Sequence, residues 1–481
     1  MCIRDSVWTT AGVTWEISGH LYEFPLRLDT GGAFHNNMFD SWELSDDQLT
    51  WTFTLRDDLS FEDGDQLTTD DFIASSFRWA ERITRGIAMF QRSAAGNNSA
   101  ESMSKVDDLT FKIHLKEPYA VTSLGFGQQP LMMKAEIAGS ISPHDRVDDF
   151  IASGPWKLDN WAPGHRFDLL PREGFPAGVF PEGESVLLDQ LQIVEIPDKT
   201  TLLAGLKTGK IHYGTFMPFV FWPDVKEDPK LNTWVLPGGS TPVVLFNHTK
   251  LPFSNLKARQ AIQAALDAED WMPAYDPPEL WSACGAIFIC GTPNESEVAL
   301  ELYDQDDLEK AQRLFNEFVE ETGWDPSTPI VLLGNTSYQE MRDISIVNKT
   351  VTESVGFNVD LQQPDWATAV TFRQDQEYWD MFHTSCCGVP FNNPILNWYL
   401  SPKTYGWHDN LEIEELKSQY SRTNDPAEQQ RLVDAVQKSY YENVTHMIPG
   451  NITGYNIING SVRGVHDHHW NTRMTGVWFD N

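Results

Sequence analysis

The sequence predicts an α/β protein of two lobes, and three observations carry that prediction. At 481 residues the chain is too long for a single hydrophobic core. Strand patterns of period two alternate with capped helical patterns through most of its length. The links between them are short, which is the signature of packed α/β units.

The first block, Leu49 to Ala80, reads LTWTFTLRDDLSFEDGDQLTTDDFIASSFRWA. Trp51, Phe53 and Leu55 alternate with threonines, as in a half-buried strand. Asp57-Asp58 ends it, and Asp63-Gly64 is a turn dipeptide. Thr68 followed by Asp71 is a capping-box pattern, and Phe72, Ile73, Ser76, Phe77, Ala80 and Ile83 then share a helical face. The acidic turn is no calcium loop. With Gly64 at the sixth loop position, Leu59 and Phe61 fall where oxygen ligands are needed. Leu109, Phe111, Ile113 and Leu115 form a second strand able to pair with the first. Residues 42 to about 115 therefore read as a small α+β subdomain.

Beyond it, turns at Gly154-Pro155 and Pro163-Gly164 bracket one strand, and Arg166–Leu170 is another. Pro197, Asp198 and Gly209 punctuate a strand–helix–strand unit with its helix over Lys199–Lys207. A buried strand at Val243–Phe246 leads to a helix bearing Ala258, Ile262, Ala265 and Leu266. Then come a helix over Asp306–Glu321, a strand at Pro329–Leu333, a helix over Gln339–Glu353 and a strand at Phe357–Gln362. A helix over Trp366–Arg373, a strand at Asp380–Thr384 and a last long helix over Pro426–Val444 complete a second α/β lobe.

Composition excludes several function classes. The net charge is −34, the opposite of the basic footprint that nucleic acid or an anionic membrane requires. No apolar run reaches 18 residues, the length of a spanning helix. Eighteen tryptophans suit stacking against a ligand, although large cores also consume them. The five cysteines include no CxxC pair, which argues against a zinc ribbon. Cys284 and Cys290 are spaced either for a small disulfide loop or for two buried thiols, and adjacent Cys386 and Cys387 read as two reduced thiols, with a strained vicinal disulfide the alternative. MCIRDSVWTT has no apolar signal core, so Met1–Ser6 reads as a truncated or non-native start. His466, Asp467, His468 and His469 are a candidate metal cluster, with exposed strand histidines the plainer alternative. The abundant Asp and Glu make hydrolysis of glycans or peptides by paired carboxylates the second reading, and the lack of a Gly-x-Ser-x-Gly elbow or an HExxH weighs against it. A thiol-based sensor using Cys386 and Cys387 is a third.

Four segments in order, covering about Leu21 to Leu266, resemble one family: the extracytoplasmic solute-binding proteins of dipeptide and oligopeptide ABC importers. They are SWELSDDQLTWTFTLRDDLSFEDGDQLTTDDFIASSFRWA, SGPWKLDNWAPG, IPDKTTLLAGLKTGKIHYG and LFNHTKLPFSNLKARQAIQAALD. The second half is similar more loosely, through EYWDMFHTSCCGVPFNNP and the closing helix. The resemblance implies a two-lobed periplasmic-binding-protein fold of class II type. Lobe I would comprise residues 1–41, 150–243 and 449–481, the inserted subdomain 42–149 and lobe II 244–448. It implies a monomer outside the cytoplasm, without cofactor or metal, that closes its lobes on a solute and hands it to ABC permease subunits. That solute would be a peptide, a modified peptide or a sugar oligomer.

The resemblance also implies where ligand contacts fall. Trp366, Val370 and Arg373 match a Trp, an aliphatic residue and an Arg that face the cleft in peptide-binding relatives. Arg373 would hold a carboxylate or phosphate, unless it pairs with Asp375 or Glu377. His383, Ser385, Cys386, Cys387 and Phe391 lie in the following strand and loop. There the peptide-binding relatives carry an Asp for the ligand's ammonium, but no acidic residue lies between His383 and Pro394. Tyr22, Phe24, Phe216, Trp222 and Trp281 complete the expected contacts.

Overall fold

A computed structural model describes residues 12–28, 34–80, 102–120, 130–140, 150–175, 185–215, 217–235, 240–275, 277–336, 339–387, 394–395, 397–465 and 474–480. The chain forms two compact units. Unit 1 holds residues 1–213, 421–424 and 458–481, and unit 2 holds 214–420 and 425–457. The chain changes unit at Tyr213/Gly214 and Ile457/Ile458, and briefly returns to unit 1 for Ser421–Asn424.

In unit 1 the alternation Trp51–Phe53–Leu55 forms the strand Thr50–Leu55, with all three side chains buried. It pairs antiparallel with Phe39–Leu44 and with Thr110–His114, and Met103–Lys105 adds a fourth strand. Phe53 stacks on Phe111 at 5.3 Å, and Phe72 from the helix Thr69–Ala80 stacks on the same ring at 4.4 Å. The capping pattern works as expected. The Asp71 carboxylate accepts from the Thr68 backbone N–H at 2.8 Å and from its hydroxyl at 3.0 Å. Its other oxygen accepts from Ala135 N–H, which ties the helix start to the next segment. Gly64 closes the acidic turn at φ +93°, where a side chain would strain the backbone. Asp63 and Asp65 in that turn bind Lys134, so the acids hold a lysine. A second sheet joins Trp156–Ala162, Arg166–Pro171 and Leu191–Val194, and the Asp198 side chain caps the helix Lys199–Lys207.

Unit 2 is built on one mixed seven-stranded sheet. Its order is Trp281–Ser282, Asn451–Ile452, Ser240–Phe246, Met381–Cys387, Pro329–Leu333 and Asn358–Gln362, with His446–Met447 also paired to Ser240–Phe246. Six of the seven residues in Ser240–Phe246 are buried, as a strand covered on both faces requires. Pro329–Leu333 and Asn358–Gln362 pair in parallel across the helix Gln339–Val355, the strand–helix–strand unit that the alternating patterns indicate. The helix Leu308–Thr322 ends on Gly323, left-handed at φ +68°. Phe315 and Phe318 from this helix meet Phe357 in the core. No helix among the described residues is long and apolar enough to cross a membrane.

Candidate functional site

Of the expected contacts, Trp366, Val370 and Arg373 lie together in unit 2, on and just beyond the helix Trp366–Phe372. Asp365 starts that helix, its carboxylate accepting from Thr368 N–H at 3.1 Å. Ala369 is the one buried position of the helix, so it rests on the core by a small side chain. Trp366 and Arg373 are seven residues apart, two helical turns, and so share a face. Trp366 is 42 % exposed, high for a tryptophan. The Arg373 Cζ lies 5.5 Å from the Trp366 ring centre and 4.4 Å from that of Tyr405. Val370 is half-buried on the same helix.

Arg373 forms no ion pair among the described residues. Asp375 instead accepts from Glu377 N–H, and the carbonyl of Glu377 accepts from Lys250. The Arg373 Nε–H is buried without a hydrogen-bond partner. Burial pushes the guanidinium below its ordinary value, and Tyr405 pulls it back. An unpaired buried donor on a permanent cation is costly, so the group is short of an acceptor.

The neighbouring strand tells a mixed story. Ser385 is half-buried, and its hydroxyl meets that of Ser240 at 2.6 Å. Cys386 and Cys387 pair with Thr241 and Ser240 in the sheet, and their side chains lie outside the described residues. So do Phe391, Phe216 and the His466–His469 cluster. Trp281 is half-buried in a two-residue strand paired with Asn451–Ile452, with its indole N–H buried and unpartnered. Cys284 and Cys290 form a disulfide, which decides between the two alternatives left by their spacing. The loop it closes is also pinned by Ile287 N–H to Gln437 and by Cys290 N–H to Asn451.

Four of the expected contacts are buried. Tyr22 and Phe24 are 5 % and 1 % exposed inside an apolar cluster with Leu21, Leu131 and Trp156. The turn carrying them is fixed by Glu23, whose N–H donates to the Ser153 hydroxyl and whose carboxylate accepts from Asn37. Their aromatic rings therefore serve packing within unit 1. His383 is fully buried beneath Trp271, with the Tyr275 hydroxyl 3.3 Å from its Nε2. Burial drives its pKa down to about 3. Its strand is covered on both faces, so alternation did not reveal which way it points. Trp222 is buried, edge-on to Tyr455 at 5.0 Å, and Phe219 stacks on the same tyrosine.

Sequence reading missed Tyr405. It lies 32 positions beyond Arg373, outside any helical or strand spacing, and only the fold brings the two together. It also missed a buried imidazole group. His248 and His408 rings are 6.2 Å apart, and His248 Nε2–H donates to the Thr445 carbonyl at 2.9 Å. His446 is wholly buried between edge-on contacts to Tyr399 at 4.9 Å and Tyr440 at 4.7 Å. Burial, reinforced by Arg259 or Lys417 and by one another, holds all three neutral. His248 falls to about 3, His408 to about 4 and His446 well below its ordinary value.

Comparison with known proteins agrees with this architecture. Residues 33–407 match the family model described as bacterial extracellular solute-binding proteins, family 5 Middle. A probable peptide ABC transporter periplasmic-binding protein, y4tO, of Sinorhizobium fredii is 30% identical over 468 residues, 92% of this chain and 85% of that protein. Two solved structures share the fold across 99% of this chain and 96% of theirs. The Bacillus subtilis oligopeptide-binding protein AppA, in complex with a nonapeptide, has a TM-score of 0.80 at 18% identity. The Agrobacterium protein AgaA, in complex with agropinic acid, has a TM-score of 0.79 at 20% identity.

Proposed function

Since the chain belongs to the bacterial extracellular solute-binding proteins of family 5, we propose that its solute carries a free carboxylate held by Arg373. The chain is a substrate-binding component of an ABC importer, and members of its family are solute-binding proteins that work outside the cytoplasm. The observation that carries the carboxylate reading is the half-buried guanidinium beside Trp366 and Tyr405, with no ion pair among the described residues and with its Nε–H unpartnered. A carboxylate offers a planar pair of acceptors that matches the guanidinium fork.

The amino end of the solute has a different character. The segment from His383 to Pro394 contains no Asp or Glu, so it supplies no counter-charge for an ammonium group. A modified peptide, or an amino-acid derivative with a masked or distant amine, suits this chemistry best. AppA is in complex with a nonapeptide and AgaA with agropinic acid, on folds similar to this one. Trp366 offers an exposed ring against which a flat or apolar part of the solute can lie. The protein captures the solute and leaves its bonds intact, then passes it to the permease subunits as a monomer.

Mass spectrometry of solute carried through gentle purification tests this reading. The expected result is an organic acid recovered unchanged after prolonged incubation with the protein. Recovery of a neutral sugar oligomer, or of its cleavage products, would overturn it.

A further inference from the structure

We propose that Tyr405 is the positioning residue that holds the Arg373 guanidinium poised for a planar carboxylate. The proposal rests on the carboxylate-binding reading of Arg373 and adds to it the device that sets the fork.

A long arginine side chain free of ion pairs loses much rotamer freedom when it is fixed, so something must fix it. Its own helix ends at Phe372, leaving no following turn to support it. Trp366 is the more distant ring and is itself 42 % exposed. Tyr405 is nearer, at 4.4 Å, and comes from a segment that the fold holds firmly.

That segment has two unusual backbone positions. Gly406 has φ +100°, and a Cβ there would stand 3.0 Å from the Phe246 carbonyl oxygen. Its own carbonyl accepts from His248 N–H at 2.9 Å. Trp407 has φ +46°, a left-handed conformation that a bulky residue adopts only where its surroundings impose it. Its ring packs on Trp379 at 5.4 Å. The Trp379 indole N–H in turn donates to the Arg373 carbonyl at 3.1 Å. The contacts close a circuit that runs from the Arg373 backbone through Trp379 and Trp407 to Tyr405, and back to the Arg373 guanidinium.

The chemical consequence follows from the shape of the group. All guanidinium N–H donors lie in its plane, so one aromatic neighbour at 4.4 Å can steady the cation without occupying every donor. Tyr405 therefore orders the cation while leaving its Nε–H donor unused. The buried, unpartnered Nε–H is a donor left over by this arrangement.

The test uses the full chain labelled with 15N-arginine and sodium acetate as an isolated carboxylate. The Nε–H signal of Arg373, assigned by its loss in Arg373→Lys, reports occupancy, with N-methylacetamide as the neutral control. In the wild type acetate is expected to move that signal, and Tyr405→Phe, which keeps the ring and loses only the hydroxyl, is expected to keep most of that affinity. In Tyr405→Leu the affinity should fall about tenfold, the scale of one partly desolvated cation–π contact. Gly406→Ala keeps the ring but displaces its loop, so it guards against misfolding of the leucine variant, and the same loss is expected. Acetate affinity within twofold of wild type in either folded variant would overturn the role of Tyr405. Failure of acetate to move the wild-type signal would overturn the carboxylate reading itself.

Discussion

The Arg373 guanidinium carbon lies 4.4 Å from the centre of the Tyr405 ring, and no carboxylate shares the site among the described residues. A cation arranged in this way contributes little to folding through ion pairing and a great deal to an incoming anion. Replacing Arg373 by Gln should therefore lower affinity for an acidic solute about 10- to 100-fold, the scale of a charge-assisted hydrogen-bonded pair. The melting temperature should change little. Calorimetric titration and a thermal scan on the same sample check both halves of this expectation. An equal loss of stability and affinity would mark Arg373 as a structural residue.

Trp366 separates binding from folding in the same manner. At 42 % exposure its removal costs little core burial. Trp366→Ala should weaken the acidic solute about fivefold to tenfold through lost stacking, with the denaturant midpoint nearly unchanged. Unchanged affinity would move the contact surface away from this helix.

The buried imidazoles predict acid lability in unit 2. In the folded chain His248, His383 and His408 titrate near 3, 3 and 4, and His446 also lies below its ordinary value. Once unfolded, each titrates near 6.5. The folded pKa values are lowered, so the unfolded chain binds more protons as pH falls. Their contribution to stability is complete above about pH 6.5. It is lost as pH drops toward 4, at about 1.4 kcal/mol per pH unit for each histidine. The groups facing His408 are His248, His446, Lys417, Glu414 and Asp409, of which the two acids oppose the trend. Urea unfolding between pH 7.5 and 4.5 should show this slope, and His408→Gln should flatten it. A pH-independent midpoint over that range would contradict the assignment.

The Cys284–Cys290 disulfide closes a short loop whose Ile287 and Phe288 are already buried. Loop-closure entropy gives about 2 kcal/mol for a loop of this size. Reduction, or the double replacement of both cysteines by Ala, should lower the melting temperature by a few degrees and leave the fold in place. Thermal scans with and without reductant test this. Complete unfolding on reduction would show that the loop depends on the bond rather than on its buried side chains.

Much of the scaffold was readable because local chemistry and packing agree there. Thr68 and Asp71 start a helix, Asp198 caps Lys199–Lys207, and Trp51, Phe53 and Leu55 point inward, each as spacing indicates. The site was readable only in part. Trp366 and Arg373 lie on one helix, so helical spacing relates them. Tyr405 reaches Arg373 through a loop whose path depends on Gly406 and Trp407, and no local pattern encodes that approach. The burial of Tyr22, Phe24 and His383 was unreadable for a related reason. An aromatic or a histidine beside a turn or on a doubly covered strand has the same local sequence whether it faces solvent or core.

The most direct test of the central claim is calorimetric titration of the full chain with matched pairs of compounds, each a free acid and its primary amide. They should be drawn from short peptides and amino-acid derivatives. The account predicts that every acid that binds loses at least about tenfold in affinity on amidation, and that Arg373→Gln binds acid and amide alike. An amide that binds the wild type as tightly as its acid would contradict it.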